Sequence, residues 1–117
     1  MAQILFVLLP NNVKTQKSKF MFSERIKELR VQNQMPQRQL AAALDIDTAT
    51  YCKIERGERK ARREQVEVIA YVLNADKKEL IKLWLADKVY EVVSGESNVQ
   101  DILNVVNEKI LNYAQNI

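Results

Sequence analysis

From Met21 onward the chain holds no run of alternating apolar and polar residues long enough for a strand. Apolar residues recur instead at three- and four-residue spacing, in short stretches cut by capping and breaking residues. That pattern admits short amphipathic helices and little else. Ser23 is placed to cap a first helix through about Gln32, with Ile26 and Leu29 inward and Glu24 in the first turn, where the helix dipole favours an acid. Pro36 suits the opening of a second helix, Gln37–Leu44, which turns Leu40, Ala41 and Leu44 inward. Asp47 is the expected N-cap of a third helix, Thr48–Arg56, and Gly57 stands where a left-handed residue closes it. A fourth helix is expected over about Arg63–Leu73, with Val66, Ile69, Ala70 and Leu73 at helical spacing. Asp76 and Glu79 form a capping pattern opening a fifth helix that ends at Ser94–Gly95, and Ser97 with Gln100 repeats it before a last helix to about Tyr113. The body is all-α.

The first 20 residues stand apart. The run Ile4–Leu9 is apolar, then Pro10, Asn11 and Asn12 break it. It is too short to span a bilayer and has no basic residue before it, so it supports neither a membrane helix nor a signal peptide. Three readings stay open: an edge strand or dimer arm, a disordered extension, or residues upstream of a start at Met21.

Composition narrows the chemistry. The 117 residues include no histidine, one cysteine and two glycines. The usual nucleophile–histidine pairs and histidine-bearing zinc sites are therefore absent, and one cysteine makes neither an internal disulfide nor a thiolate cluster, which suits a reducing cytoplasm. Two separated glycines do not make a phosphate-cradling loop. No enzyme, metal or cofactor is expected. The net charge of +3 hides an asymmetry: residues 23–63 carry +4 and residues 64–117 carry −4, and every arginine falls between Arg25 and Arg63. The stretch Lys53–Arg63, KIERGERKARR, is the densest part, with six cations and two acids. Arginine concentrated in this way points to a polyanion, because its planar fork suits phosphate and guanine.

The second and third helices, joined by a short turn, form a helix-turn-helix, in which the N-terminal end of the second member enters the major groove. Thr48, Ala49, Thr50 and Lys53 would face outward there, with Ile54 inward. Residues 25–80 resemble the Cro/CI-type helix-turn-helix family of bacterial and phage repressors (the XRE family). The likeness is carried by RIKELR, by Gln37 with Leu40 and Ala41, by the KIERG of Lys53–Gly57, and by Ile69 and Ala70 followed by Leu73. It departs at Asp45, where the family usually has glycine, and at Ala61 and Arg62, where a Pro-Ser pair is common.

The resemblance implies a compact five-helix, lambda-repressor-like DNA-binding domain, here over residues 21–83, with an additional C-terminal helix. It also implies a dimer on a palindromic operator of double-stranded DNA. Thr48, Ala49 and Thr50 would meet base edges, Thr50 alternatively a cap or a phosphate; Lys53 would reach guanine or a phosphate. Gln37 would bond a phosphate and brace the recognition helix, or else lie solvated. Arg38, Arg56, Arg59, Lys60 and Arg62 are the remaining phosphate candidates, and Glu55 is a candidate to pair with an arginine inside the domain. Tyr51 would pack under the helix or rest on the sugar–phosphate backbone. Cys52 reads as a small half-buried residue rather than a redox sensor.

Residues 84–117 are more apolar than one small domain requires, with Trp84, Val89, Tyr90, Val93, Ile102, Val106 and Ile110 as the expected dimer interface. The alternative is that the last helix folds back on its own domain. The expected function is a cytoplasmic, autoregulating repressor, such as a restriction–modification controller or phage-type repressor. The rival is an antitoxin or other protein-interaction module working through its C-terminal helices.

Overall fold

The computed structural model describes residues 20–115, in which six helices follow one another: α1 (Met21–Gln32), α2 (Gln37–Ala43), α3 (Thr48–Glu55), α4 (Arg63–Val72), α5 (Lys77–Val93) and α6 (Val99–Gln115). The described residues contain no strand, and none of their helices is long and apolar enough to cross a membrane. The readings offered for residues 1–19 lie outside the described residues. The chain divides after Asp87 into two compact units.

Helices this short are marginal alone, so their ends and their buried faces have to supply what propagation does not. All four helices from α1 to α4 finish in the same way. The residue after the C-cap has positive φ: Gln34 (54°), Asp45 (58°), Gly57 (78°) and Asn74 (54°). The next N–H then reaches back five residues to a helix carbonyl, Met35 to Arg30, Ile46 to Ala41, Glu58 to Lys53 and Ala75 to Ala70, at 2.8–3.1 Å. This is the Schellman arrangement, whose following residue commonly packs on the helix it closes. Met35, Ile46 and Ala75 do pack against the core. Asp45 thus adopts the conformation that glycine usually supplies, at a modest steric cost. Nothing in the period of apolar residues marks Gln34 or Asn74 for this role.

The start of α1 differs from expectation. Ser23 is not its cap. The helix begins two residues earlier, its N-cap Phe20 provides no side-chain hydrogen bond, and the carboxylate of Asp87 on α5 accepts from the backbone N–H groups of Met21 (3.0 Å) and Phe22 (2.9 Å). Ser23 is buried and its hydroxyl donates to the Ile54 carbonyl at 3.1 Å. A cap supplied from a helix 65 residues away carries no local signal, whereas a serine just before an apolar stripe does. Pro36 stands at the N-cap of α2 rather than within its first turn, and the Asp47 carboxylate accepts from Thr50 N–H at 2.7 Å, as a cap of α3 should.

The core of the first unit gathers one to three residues from each helix from α1 to α5: Phe22 and Ile26, Leu40 and Ala41, Tyr51 and Ile54, Val66, Ile69, Ala70 with Leu73 just past α4, and Leu80, with Ala61 from the connection before α4. Leu29 and Leu44 pack at its edge. Trp84 closes the other side. Its indole N–H donates to the Ala61 carbonyl at 2.8 Å, and the Arg63 guanidinium lies over its ring, 5.4 Å from the centroid. Trp84 and Asp87 carry this unit past Leu83.

Replacing Asp87 with alanine strips α1 of two hydrogen bonds to a side-chain acceptor. The expected loss is about 1–2 kcal/mol, the range for removing a helix cap, read as a lowered urea midpoint with unchanged m-value.

Candidate nucleic-acid interface

Recognition by a short helix requires one face fixed to the core and the other left open. In α3 the fixed face is Tyr51, Ile54 and Glu55, all buried. Thr48, Ala49 and Lys53 are exposed on the other side, and Thr50 and Cys52 are half-buried between the two faces. The face expected to read bases is therefore unobstructed along Thr48, Ala49 and Lys53. Tyr51 is fully buried, so it packs under the helix and has no access to a backbone outside.

Two residues of the fixed face supply apolar contact, which has no preferred direction. Glu55 supplies direction. Its side chain is 3% exposed and accepts from Arg30 twice, Nε at 2.7 Å and an Nη at 2.9 Å, and from the Gln37 amide at 3.1 Å. A further Arg30 N–H donates to the Met35 carbonyl at 2.8 Å. The Cys52 thiol donates to the Gln37 side-chain oxygen Oε1 at 3.1 Å. Arg30 of α1, Gln37 of α2 and Glu55 of α3 are thereby tied at one point. The Gln37 side chain bonds two residues of α3, Glu55 and Cys52, and one N–H of its amide is not used in this network.

Electrostatics follow from that geometry. Burial by itself would raise the Glu55 pKa. The hydrogen bonds from Arg30 and Gln37 and the Arg30 charge outweigh it and hold the carboxyl below its ordinary 4.5. Burial, with the neighbouring Glu55 charge, pushes the Tyr51 phenol well above its ordinary range, so it stays neutral. Glu55 is the acid expected to pair inside the domain, and Arg30 is its partner. Arg30 itself was not legible as a functional residue. The available signal is an acid at the buried spacing 51–54–55, which requires a cation to face it.

Apart from the half-buried Gln37, the expected phosphate contacts are at the surface. Arg38, Arg56, Arg59, Lys60 and Arg62 are exposed. Arg56 pairs with Glu58 through two hydrogen bonds at 2.8 and 3.2 Å, and Arg62 pairs with Glu64 at 3.2 Å. Exposed pairs of this kind are worth at most about 1 kcal/mol, so a phosphate competes for the same guanidinium at little cost. Gln65 Oε1 accepts the Arg62 N–H at 2.9 Å and opens α4 in place of the missing Pro-Ser signal.

The residues expected at a dimer interface are differently placed. Trp84 belongs to the packing of the first unit, Val93 is buried, and Ile102 is half-buried. Val89, Tyr90, Val106 and Ile110 are exposed, Ile110 to 60%. Among the described residues, no group of His, Cys, Asp and Glu side chains is placed to hold a metal ion.

A family model described as a helix-turn-helix domain matches residues 22–83, more than half of the chain. No curated protein and no solved structure matches it.

The Arg30–Glu55 pair yields a test with a sign. A carboxylate whose folded pKa is depressed stabilises the fold above its unfolded value, and that contribution is lost as pH falls through the folded one. Wild-type stability should therefore decline below about pH 4.5 as Glu55 protonates. Arg30→Met leaves the carboxylate buried without its cation and should cost about 3–5 kcal/mol near pH 7. With burial then dominant, the Glu55 contribution should change sign, and the variant should recover part of the loss as pH is lowered. Urea titrations of both proteins from pH 3.5 to 7.5 decide it.

Proposed function

The chain belongs to the helix-turn-helix domain family, and from that premise we propose that it is a sequence-specific regulator of transcription that binds double-stranded DNA. The observation that carries the proposal is the division of α3. Its buried face is locked by Glu55, while Thr48 and Ala49 stand open at the N-terminal end that would enter a major groove, with Lys53 exposed in the last turn. Thr48, Ala49, Thr50 and Lys53 read bases; Gln37, Arg38, Arg56, Arg59, Lys60 and Arg62 hold phosphates and fix the register. The arrangement fits the Cro/CI type, acting in the cytoplasm as a repressor of its own operon, in the manner of restriction–modification controllers and phage-type repressors.

The reading includes a homodimer on a palindromic operator. Its support is α6, a helix with no buried residue whose apolar side chains recur at alternating four- and three-residue steps: Val99, Leu103, Val106, Ile110 and Tyr113. That is the spacing of a helix–helix seam. The acids Asp101 and Glu108 lie off this line, so a second copy meets no carboxylate along the seam. Val89 and Tyr90 extend the exposed apolar surface on α5. A two-fold pair would set its recognition helices about 34 Å apart, one turn of DNA. The same α6 surface also suits a different protein, the antitoxin-like reading.

Two measurements test the proposal. In a gel-shift titration against the DNA upstream of its own gene, the protein should form a discrete complex that survives random competitor and weakens with salt. Thr50→Ala with Lys53→Ala should remove the preference for that DNA, at about 1–3 kcal/mol per lost base contact, while the helical circular dichroism is kept. In sedimentation equilibrium the wild-type chain should dimerise, and Ile110→Asp should shift it to monomer and weaken operator binding. A monomer that captures DNA unchanged by Ile110→Asp would remove the dimer from the reading.

A further inference from the structure

The face just assigned to base reading is not uniformly basic. Asp47, immediately before Thr48, is exposed, and its carboxylate is fixed by the N–H of Thr50 at 2.7 Å. The Thr50 hydrogen bonds, with the charges of Lys53 and Arg59 acting from further away, hold that carboxyl below the ordinary carboxylate range, so it is ionised. Capping alone does not call for this residue. Asparagine and serine cap as well as aspartate does, and neither brings a formal negative charge to the end of a helix aimed at a polyanion.

A carboxylate has acceptor sites only, and bonding to Thr50 leaves some of them unused. On the major-groove edge, guanine and thymine present acceptors, adenine sets its N7 acceptor beside its amine, and cytosine presents the N4 amine alone. An ionised acceptor held at the entry of α3 is therefore matched by cytosine and opposed by guanine and thymine. Lys53, one and a half turns on, is its opposite, a group that only donates and that guanine suits.

We propose that Asp47 is a specificity-determining residue, whose cap-fixed carboxylate accepts from cytosine N4 in each half-site and rejects the acceptor edges of guanine and thymine. The proposal rests on the DNA-binding reading above and adds a residue and a base to it. It makes the cap of α3 serve two purposes: the bond to Thr50 both starts the helix and holds the reading oxygen still.

Selection from a library of random duplexes, run in parallel with wild-type protein and Asp47→Asn, tests it. Asparagine preserves the cap, so the variant should unfold at the same urea concentration as the wild type. The wild-type pool should contain cytosine at one fixed position of each half-site. In the variant pool that position should lose its cytosine preference by about tenfold and move toward adenine, which asparagine bonds on two atoms, with the other positions unchanged. The same cytosine in both pools overturns the role of Asp47, as does a wild-type motif without cytosine. So does a variant that binds every duplex more tightly with an unaltered motif, which would make the charge a general repulsion. A wild-type pool with no motif at all removes the DNA-binding reading, and this inference with it.

Discussion

One buried carboxylate, that of Glu55, sets the direction of α3. α3 has eight residues, two turns, and no such helix is stable by itself in water. Tyr51 and Ile54 supply apolar burial, but burial tolerates rotation and sliding so long as area stays covered. Glu55 does not tolerate them. It takes both prongs of the Arg30 fork and the amide of Gln37 at once, and each bond fails if α3 turns or shifts by an ångström or two. Arg30 in turn donates to the Met35 carbonyl just beyond the end of α1, so the same guanidinium orients the chain entering α2. Such a pair contributes little net free energy once desolvation is counted. Its effect in this fold is to fix the relative register of three helices.

Around that fixed point the helices are kept short by their endings. Each of the first four closes with a residue of positive φ and a backbone N–H that returns five residues. The chain thereby turns sharply without exposing buried carbonyls. Met35, Ile46 and Ala75 then pack the turns against the core, so the connections are part of the hydrophobic interior. Cap and core act together at both ends of α3. Asp47 begins the helix by accepting from Thr50, and Gly57 finishes it by donating to the carbonyl of Ile54, whose oxygen also accepts from the hydroxyl of Ser23.

Much of this was legible in the sequence, because helical period and local caps are encoded by neighbours. Val66, Ile69, Ala70 and Leu73 announce the buried face of α4, and Asp47 and Gly57 bracket α3 to within a residue. What escaped depends on partners distant in the chain. Ser23 has the look of a cap, yet it is drawn inward to Ile54, and the actual cap of α1 is Asp87. Arg30 sits among surface-type charges in RIKELR, and only the position of Glu55 on the buried stripe of another helix marks it as different. Trp84 has the composition of an interface residue. Its indole N–H finds the Ala61 carbonyl inside its own domain, since a tryptophan that goes inside needs an acceptor. Gln34 and Asn74 take left-handed geometry without glycine, which no rule of residue preference would have assigned to the glutamine.

The surface charges divide by the same logic of distance. Arg30 is committed to the interior, with three of its five N–H groups bonded to Glu55 and Met35, whereas Arg56 and Arg62 pair with acids two residues away, Glu58 and Glu64. Sequence-local pairs reform as easily as they break, so they hold a guanidinium extended without withholding it. Their carboxylates also lower the local excess of positive charge, which reduces attraction to any phosphate backbone regardless of sequence. Non-specific binding falls by that amount. The base contacts proposed for Thr48, Ala49 and Lys53 would not fall with it, since hydrogen bonds and methyl contacts to base edges depend on the position of α3, and Glu55 sets that position. Specificity in such a domain is a ratio, and interspersed acids raise it from below while a rigid recognition helix raises it from above.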